Sequence, residues 1–549
     1  MRLLKVFQPM KTSLTCLSPP SPSQNGLEIG KHNLTLEQRL GYLPIWFYLV
    51  LSTTVGLFLR LHGLERLSFW FDEACTTWRI HQPFGQIPFH HQVDSVPFLY
   101  YYLLKCWSWI WRDTDFSLRL FSALLGTAAI PVVFFLGRSL FDAPTGLMAS
   151  LLLALSSYHL QYSQEARCYA LLTVLFGLTW YFLSNVLRDP KTSHWSGYVL
   201  CGILLIYCHG VSILYIVLIN LTVLIAGRSW KIGILKRWLV ANAAVFSSFL
   251  PWLPFYLIQV SSFHTMTELP KPTLGHVIST WILLGSLPPS RTELLPDAIS
   301  KVPVLIPAIQ ILWFISCTFL VLVPRTTSVK ESTRPLLGLY FLTFFPAILV
   351  ALFSNAFTSI YVDRLFLVCL VPFVLLLAVK LRDLYKRNSK LATAVFLLYL
   401  LCDVFSVHAY YHSEWKENYR DATECLLRRA KPGDSVIFLA GVGEMLFDRY
   451  AAGRAIGLVK TGLPDGIYDK AEPDVGLRVK TPQDIKRLAD IVQGKERVWF
   501  FRNRTWSHDP HEYGQRWLDL HMTRAQEFHF NGIELTLYQE KPSPNLGDY

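Results

Sequence analysis

Apolar residues along the chain gather into runs with almost no charge inside them. They lie near residues 43–61, 117–137, 147–163, 169–187, 195–209, 211–227, 236–258, 303–324, 335–353, 365–380 and 390–407. Runs of this kind have the length and apolarity of helices that cross a ~30 Å hydrocarbon core. The pattern predicts an α-helical polytopic membrane protein with about eleven spans, and up to thirteen if two doubtful stretches are added. The first of these, 97–111 (PFLYYYLLKCWSWIW), holds Lys105 among aromatics and suits a helix lying in the interface. The second, 275–287, is too short to cross.

Composition agrees. The chain has 549 residues, of which 52% are hydrophobic and 16% charged, which excludes a disordered or fibrous protein and argues against an ordinary soluble enzyme. The net charge of +12 divides unevenly: from His408 onward there are 20 basic and 21 acidic residues, so 31 basic and 18 acidic residues precede it. The excess therefore belongs to the membrane part, and a nucleic-acid patch is a poor reading of it. The ten cysteines form no Cys-x-x-Cys pair and read as small core residues.

Three regions are expected. Residues 1–42 are polar, lack the apolar core of a signal peptide and read as a cytoplasmic tail. Residues 43–407 form the membrane domain, with a long first outer loop at 62–116. Placing the tail inside puts Arg138, Arg188, Lys191, Arg228, Lys231, Arg325, Lys330, Arg382 and Lys386 in inner loops, as the positive-inside rule requires. An odd number of spans then leaves 408–549 outside. That segment reads as a small α/β domain: helix from Glu414 to Arg429, turn at Pro432 and Gly433, strands at Ser435–Ala440, Arg497–Phe501 and Glu534–Gln539. It carries no catalytic motif, and its simplest role is a lid or packing domain.

Charged residues at span ends on the outer side are the candidate chemistry. Asp72 and Glu73 stand side by side after Trp70 and Phe71. Adjacent carboxylates near hydrocarbon repel, which suggests one raised pKa, a bound cation or a cationic partner; a solvated loop pair or an acidic pair at a helix N-terminus is the plain alternative. His90, His91 and Asp94 follow in the same loop, matching no closed zinc pattern. Gln164, Glu165 and Arg167 fall between two spans joined with almost no linker, where an acid and a guanidinium are costly unless they serve a site or pair with each other. Asp363 and Arg364, beside Tyr361, open the run at 365–380. Arg119 is a weaker element that can simply snorkel.

The order of these motifs carries a resemblance. W-x-D-E-A at 70–74, D-x-x-P-x-x-Y-Y-Y at 94–102, F-S-L-R-L at 116–120, S-Q-E-A-R-x-Y-A-L-L at 163–172 and D-R-L-F-L-x-x-x-x-P at 363–372 together resemble the GT-C glycosyltransferases. The likeness is to the family 39 branch near the protein O-mannosyltransferases and the lipid A aminoarabinose transferase. It is good over about 62–190, fair over 355–380 and absent from 408–549.

The resemblance implies a transferase that uses a polyprenyl-phosphate-linked sugar at the outer leaflet of the cell membrane, usually with inversion. By the same resemblance Asp72 would be the general base on the acceptor, with Glu73 beside it. Glu165, Arg167, Arg364, Asp94 and Arg119 would serve substrate binding. The chain has Glu165 where the aminoarabinose branch uses aspartate, which leaves its role and any divalent metal open. No cofactor is required by this reading. The acceptor is left open among lipid, glycan and protein. The chemistry fits such a role: an acceptor hydroxyl must lose its proton to a carboxylate, and a departing phosphate needs a guanidinium fork. A transporter or flippase of a lipid-linked sugar is the rival reading; it would call for internal repeats or charges near the midplane, and neither is seen. A scaffold displaying the C-terminal domain would leave Glu165 and Arg167 unexplained.

Overall fold

The computed structural model describes residues 44–89, 96–226, 232–258, 270–285, 315–316, 318–320, 334–455, 457–464, 479 and 481–541. The expected tail at 1–42, most of the run at 303–324 and the cluster His90, His91 and Asp94 lie outside the described residues.

Within them, every other apolar run is helical: α1 (Ile45–Leu61), α4 (Asp115–Leu140), α5 (Ala143–Leu155) with α6 (Ser157–Ser163), α7 (Tyr169–Val186), α8 (Thr192–Cys208), α9 (Ser212–Ala226), α10 (Ile232–Ser247), α12 (Arg334–Ala356), α13 (Leu370–Arg387) and α14 (Ser389–His412). Among the described residues five helices are long and apolar enough to cross a bilayer, counting the 3₁₀ turn Asp363–Cys369 as the start of α13. Several of the others, including α1 and α5, are shorter apolar helices. The eleven expected spans are thus represented in part. The two stretches set aside as non-spanning are the helices α3 (Leu99–Trp111) and α11 (Leu274–Gly285).

Local chemistry sets the boundaries that matter for the site. Thr114 caps α4 by accepting from the Ser117 amide, and Asp142 caps α5 by accepting from the Thr145 amide. Glycine then permits the close crossings. A Cβ on Gly146 would lie 2.4 Å from the Phe134 carbonyl oxygen, so α5 packs onto α4 backbone to backbone. A Cβ on Gly126 would lie 2.2 Å from Ser163 Oγ, so α6, which leads into the Glu165–Arg167 turn, is drawn against the middle of α4. The segment Asp363–Arg387 is the most enclosed of the five long helices, 94% of its apolar window being buried, and forms the pillar of the bundle.

Beyond α14 the chain builds a five-stranded sheet in the order β2-β1-β3-β5-β4. Its strands are β1 (Ser435–Leu439), β2 (Val459–Leu463), β3 (Arg497–Asn503), β4 (Met522–Phe530) and β5 (Ile533–Glu540). β1 runs parallel to β2 and β3, whereas β5 is antiparallel to β3 and β4. The helix expected over 414–429 is shorter, α15 (Tyr419–Leu427), because Asn418 caps it by accepting from the Asp421 amide. β2 and β4 were not expected. β4 is largely exposed along its length and so lacks the alternation that marks a strand.

Alternation along β3 divides the domain. Val498 and Phe500 join a core of their own with Ile437, Leu439 and Tyr538. Trp499 and Phe501 face the other way and belong to the apolar cluster that continues into the membrane domain. Each such buried aromatic contributes ~1.5–3 kcal/mol, so the sheet is fixed to the bundle rather than tethered beside it.

Candidate functional site

Asp72 and Glu73 open α2 (Phe71–His81), the helix inside the first long loop. The N-terminal end of a helix favours a carboxylate, and neighbours on a helix point about 100° apart, so the two acids meet different surroundings.

Glu73 is completely buried. Arg119 grips it with both ends of the fork, Nε to Oε1 at 2.8 Å and Nη2 to Oε2 at 2.7 Å. The Ala166 amide donates to Oε1 at 3.0 Å and Lys416 Nζ to Oε2 at 2.9 Å. Burial alone would push this carboxyl upward. The charges of Arg119 and Lys416 and these hydrogen bonds outweigh it and bring the pKa down to about 2. Arg119 has no capacity left: its remaining N–H groups donate to the carbonyls of Leu64, Leu67 and Ser68 at 2.9, 2.7 and 3.1 Å. Its guanidinium also covers the Phe69 ring at 4.6 Å. The pair therefore ties the first loop, the start of α4 and the Glu165–Arg167 turn into one unit.

Asp72 is placed differently. Its Oδ2 accepts from Arg364 Nη1 at 2.8 Å, joining residues 292 positions apart. Its Oδ1 takes no hydrogen bond among the described residues. The Arg364 side chain keeps 31% of its surface exposed, against 11% for that of Asp72, so the guanidinium is the more accessible member of the pair. The Asp363 carbonyl accepts from Tyr158 OH at 2.6 Å, which holds the turn carrying Arg364 against α6.

Arg167 lies beneath the same turn of α2. Its Nη1 donates to the Asp72 carbonyl, Thr76 Oγ1 and Tyr101 OH, each at 3.2 Å. Glu165, 1% exposed, stands 3.8 Å from Lys416 Nζ. Lys416 is thus shared between two buried carboxylates and flanked by the rings of Trp70 and Trp415 at 5.8 and 4.8 Å. Burial pulls its pKa down, and Glu73 pulls it partly back.

Of the residues singled out in the sequence, Asp72, Glu73, Arg119, Glu165, Arg167 and Arg364 come together in this one region, and Asp94 lies outside the described residues. Two further members were not read from the sequence. Lys416 follows the last apolar run beside Trp415, a pattern that elsewhere marks an interface anchor. Arg504 comes from the C-terminal domain, with its guanidinium 5.6 Å from the Trp70 ring and 5.8 Å from that of Phe71.

A cavity of about 620 Å³ opens at the other end of α2, lined by Trp78, His81, Asp113, Asp115, Arg420 and Arg449 among others. Two of its carboxylates are committed: Asp113 to His81 and Arg449 at 2.8 and 3.2 Å, Asp115 to Arg449 and Arg420 at 2.8 and 3.1 Å. This is a seam between the loop and the C-terminal domain, distinct from the region of Asp72. Among the described residues no three His, Cys, Asp or Glu side chains are grouped as metal ligands.

The fold has solved counterparts. The chain superposes on apo ArnT from Cupriavidus metallidurans with a TM-score of 0.53 over 90% of this chain and 98% of that one, at 13% identity. The chain has a GT-C fold. ArnT bound to undecaprenyl phosphate also matches the GT-C bundle, with a TM-score of 0.50 at 12% identity over 89% of this chain and 98% of that one. So does the apo oligosaccharyltransferase of Archaeoglobus fulgidus, with a TM-score of 0.50 at 12% identity over 85% of this chain and 70% of that one. Residues 95–255 of the GT-C bundle match the family described as dolichyl-phosphate-mannose-protein mannosyltransferase. Among curated protein sequences none matches the chain.

Proposed function

We propose that the protein is a membrane glycosyltransferase that moves a sugar from a polyprenyl-phosphate-linked donor to an acceptor hydroxyl, with inversion, on the non-cytosolic side of the cell membrane. The observation that carries this reading is the Asp72–Arg364 pair: a carboxylate with one oxygen unengaged, held by a partly exposed guanidinium at the start of the turn that leads into α13. The undecaprenyl phosphate bound to a structural counterpart supports a lipid-phosphate donor.

The acceptor oxygen attacks the anomeric carbon as the bond from that carbon to the phosphate oxygen breaks. The bonding pair leaves with the phosphate, and the hydroxyl proton passes to Asp72. Arg364 answers the charge that gathers on the phosphate where few waters can reach it. When it turns to the phosphate it releases Asp72 Oδ2, so donor binding itself frees the base. Arg167 holds the Asp72 turn in place, and Glu73, Arg119 and Lys416 form the strut behind it. Glu165 anchors Lys416 or contacts the sugar. A transporter is disfavoured because these charges stand at helix ends, away from the bundle midplane.

The reading is tested with purified protein in lipid and a panel of polyprenyl-phosphate sugars, scoring transfer to added acceptors. Arg364→Lys is expected to raise the donor KM and lower kcat/KM by about 10–100-fold, since a point charge replaces a fork worth ~1.5–3 kcal/mol. Unchanged donor kinetics would remove Arg364 from the phosphate. Excess chelator is expected to leave transfer intact, because Arg364 supplies the positive charge; loss of activity restored by added Mn²⁺ or Mg²⁺ would instead put a divalent ion on Asp72.

A further inference from the structure

The proposed reaction gives no task to Arg504, yet its setting is that of a binding group. It is the first residue past β3, at the carboxyl end of a parallel strand, the edge where open α/β sheets place their ligands. Its backbone is held at φ 44°, a conformation an L side chain rarely adopts. Nε donates to Glu417 Oε1, which fixes the plane of the guanidinium. The two terminal nitrogens take no hydrogen bond among the described residues. The group lies over Trp70 and Phe71, the two residues before Asp72, and the Asp72 charge is felt at the guanidinium.

Asn503 supplies an independent observation. It is 3% exposed, and neither its amide nitrogen nor its amide oxygen has a hydrogen-bond partner among the described residues. A buried primary amide left unsatisfied on both sides is costly, and such groups point to a ligand or ordered water. By strand alternation Asn503 lies on the face of Trp499 and Phe501, the face turned to the membrane domain.

We propose that Arg504 and Asn503 form an oxyanion subsite for the acceptor, so that the acceptor carries a phosphate or carboxylate group near the hydroxyl that receives the sugar. This rests on the glycosyltransferase reading for the word acceptor, but the subsite itself does not. Arg364 reaches Asp72 from the membrane bundle, whereas Arg504 approaches the same turn from the C-terminal domain. The lipid donor arrives along the bundle, which leaves the domain side to the second substrate. A guanidinium with two uncommitted terminal nitrogens, followed back along the chain by an unsatisfied buried amide at the preceding residue, suits an oxyanion, and the Trp70 and Phe71 faces suit a flat or sugar-like body next to the guanidinium.

The test uses full-length protein in lipid nanodiscs, titrated separately with inorganic phosphate and with undecaprenyl phosphate. Arg504→Gln is expected to weaken inorganic phosphate binding at least tenfold and to leave undecaprenyl phosphate binding within about twofold. Asn503→Leu, which fills the amide's place without a donor, is expected to weaken inorganic phosphate severalfold. A matching thermal midpoint for each variant and wild type shows that the fold is kept, and Arg504→Lys, retaining the charge, provides partial rescue. If Arg504→Gln weakens both ligands equally, the group belongs to the donor and the acceptor assignment is overturned. If it weakens neither, there is no anion subsite. Arg364→Gln is the separate check: failure of that variant to weaken undecaprenyl phosphate would sink the donor reading while leaving the Arg504 result to stand or fall alone.

Discussion

Asp72→Asn is expected to lower sugar transfer by ~10²–10⁴, the usual contribution of a positioned general base, with donor binding little changed. The substitution is nearly isosteric, and an asparagine oxygen can still accept from Arg364 Nη1, the contact made at 2.8 Å by the carboxylate. The turn should therefore survive while the proton acceptor is lost. The measurement is single-turnover transfer in proteoliposomes alongside undecaprenyl phosphate binding. A variant that binds donor normally but does not turn over places Asp72 in the chemical step; one that keeps near-normal turnover removes it.

Glu73→Gln is expected to act on the fold instead. It would strip the charge that balances Arg119 and Lys416, both buried, at a cost of about 3–5 kcal/mol. We expect low yield and a large drop in thermal midpoint, and a double variant with Lys416→Met should lose less than the sum of the two. The pH dependence follows from the depressed pKa. The folded-state value of about 2 lies below the ordinary range of roughly 4.3, so Glu73 stabilises the protein fully above that range. Its contribution fades as pH falls from there toward 2. The gap between wild type and Glu73→Gln should thus be constant from pH 8 to 5 and shrink only in stronger acid. A gap that changes near neutrality would mean that Glu73 is not held by these cations.

The two neighbouring acids show what sequence can and cannot tell. A cationic partner for Asp72 and Glu73 was one of several readings the sequence allowed, and the raised pKa it also allowed is not what Glu73 shows. Which acid took which cation was not legible. That division depends on the direction of each side chain around α2 and on Arg119 reaching back 46 positions to Glu73. The apolar runs located the helices well because hydropathy and length act locally. They could not distinguish the long from the short: α5 ends at Leu155 and α6 restarts at Ser157, a break made at Ser156, whose side chain accepts from the His159 amide. Lys416 and Arg504 were missed for a common reason. Each is an ordinary polar residue in its own segment, and its significance arises only from a contact across hundreds of positions or across a domain seam.

The Lys416 contact also bears on biogenesis. Glu73 is made early, and the ammonium that completes its neutralisation is encoded 343 residues later, after the last helix of the bundle. A nascent chain at the translocon must carry the loop with only Arg119 to balance it until α14 has been inserted. Activity should accordingly appear all at once, when synthesis passes the final helix. A premature stop anywhere before Lys416 should leave a product recognised by quality-control proteases rather than a weakened enzyme.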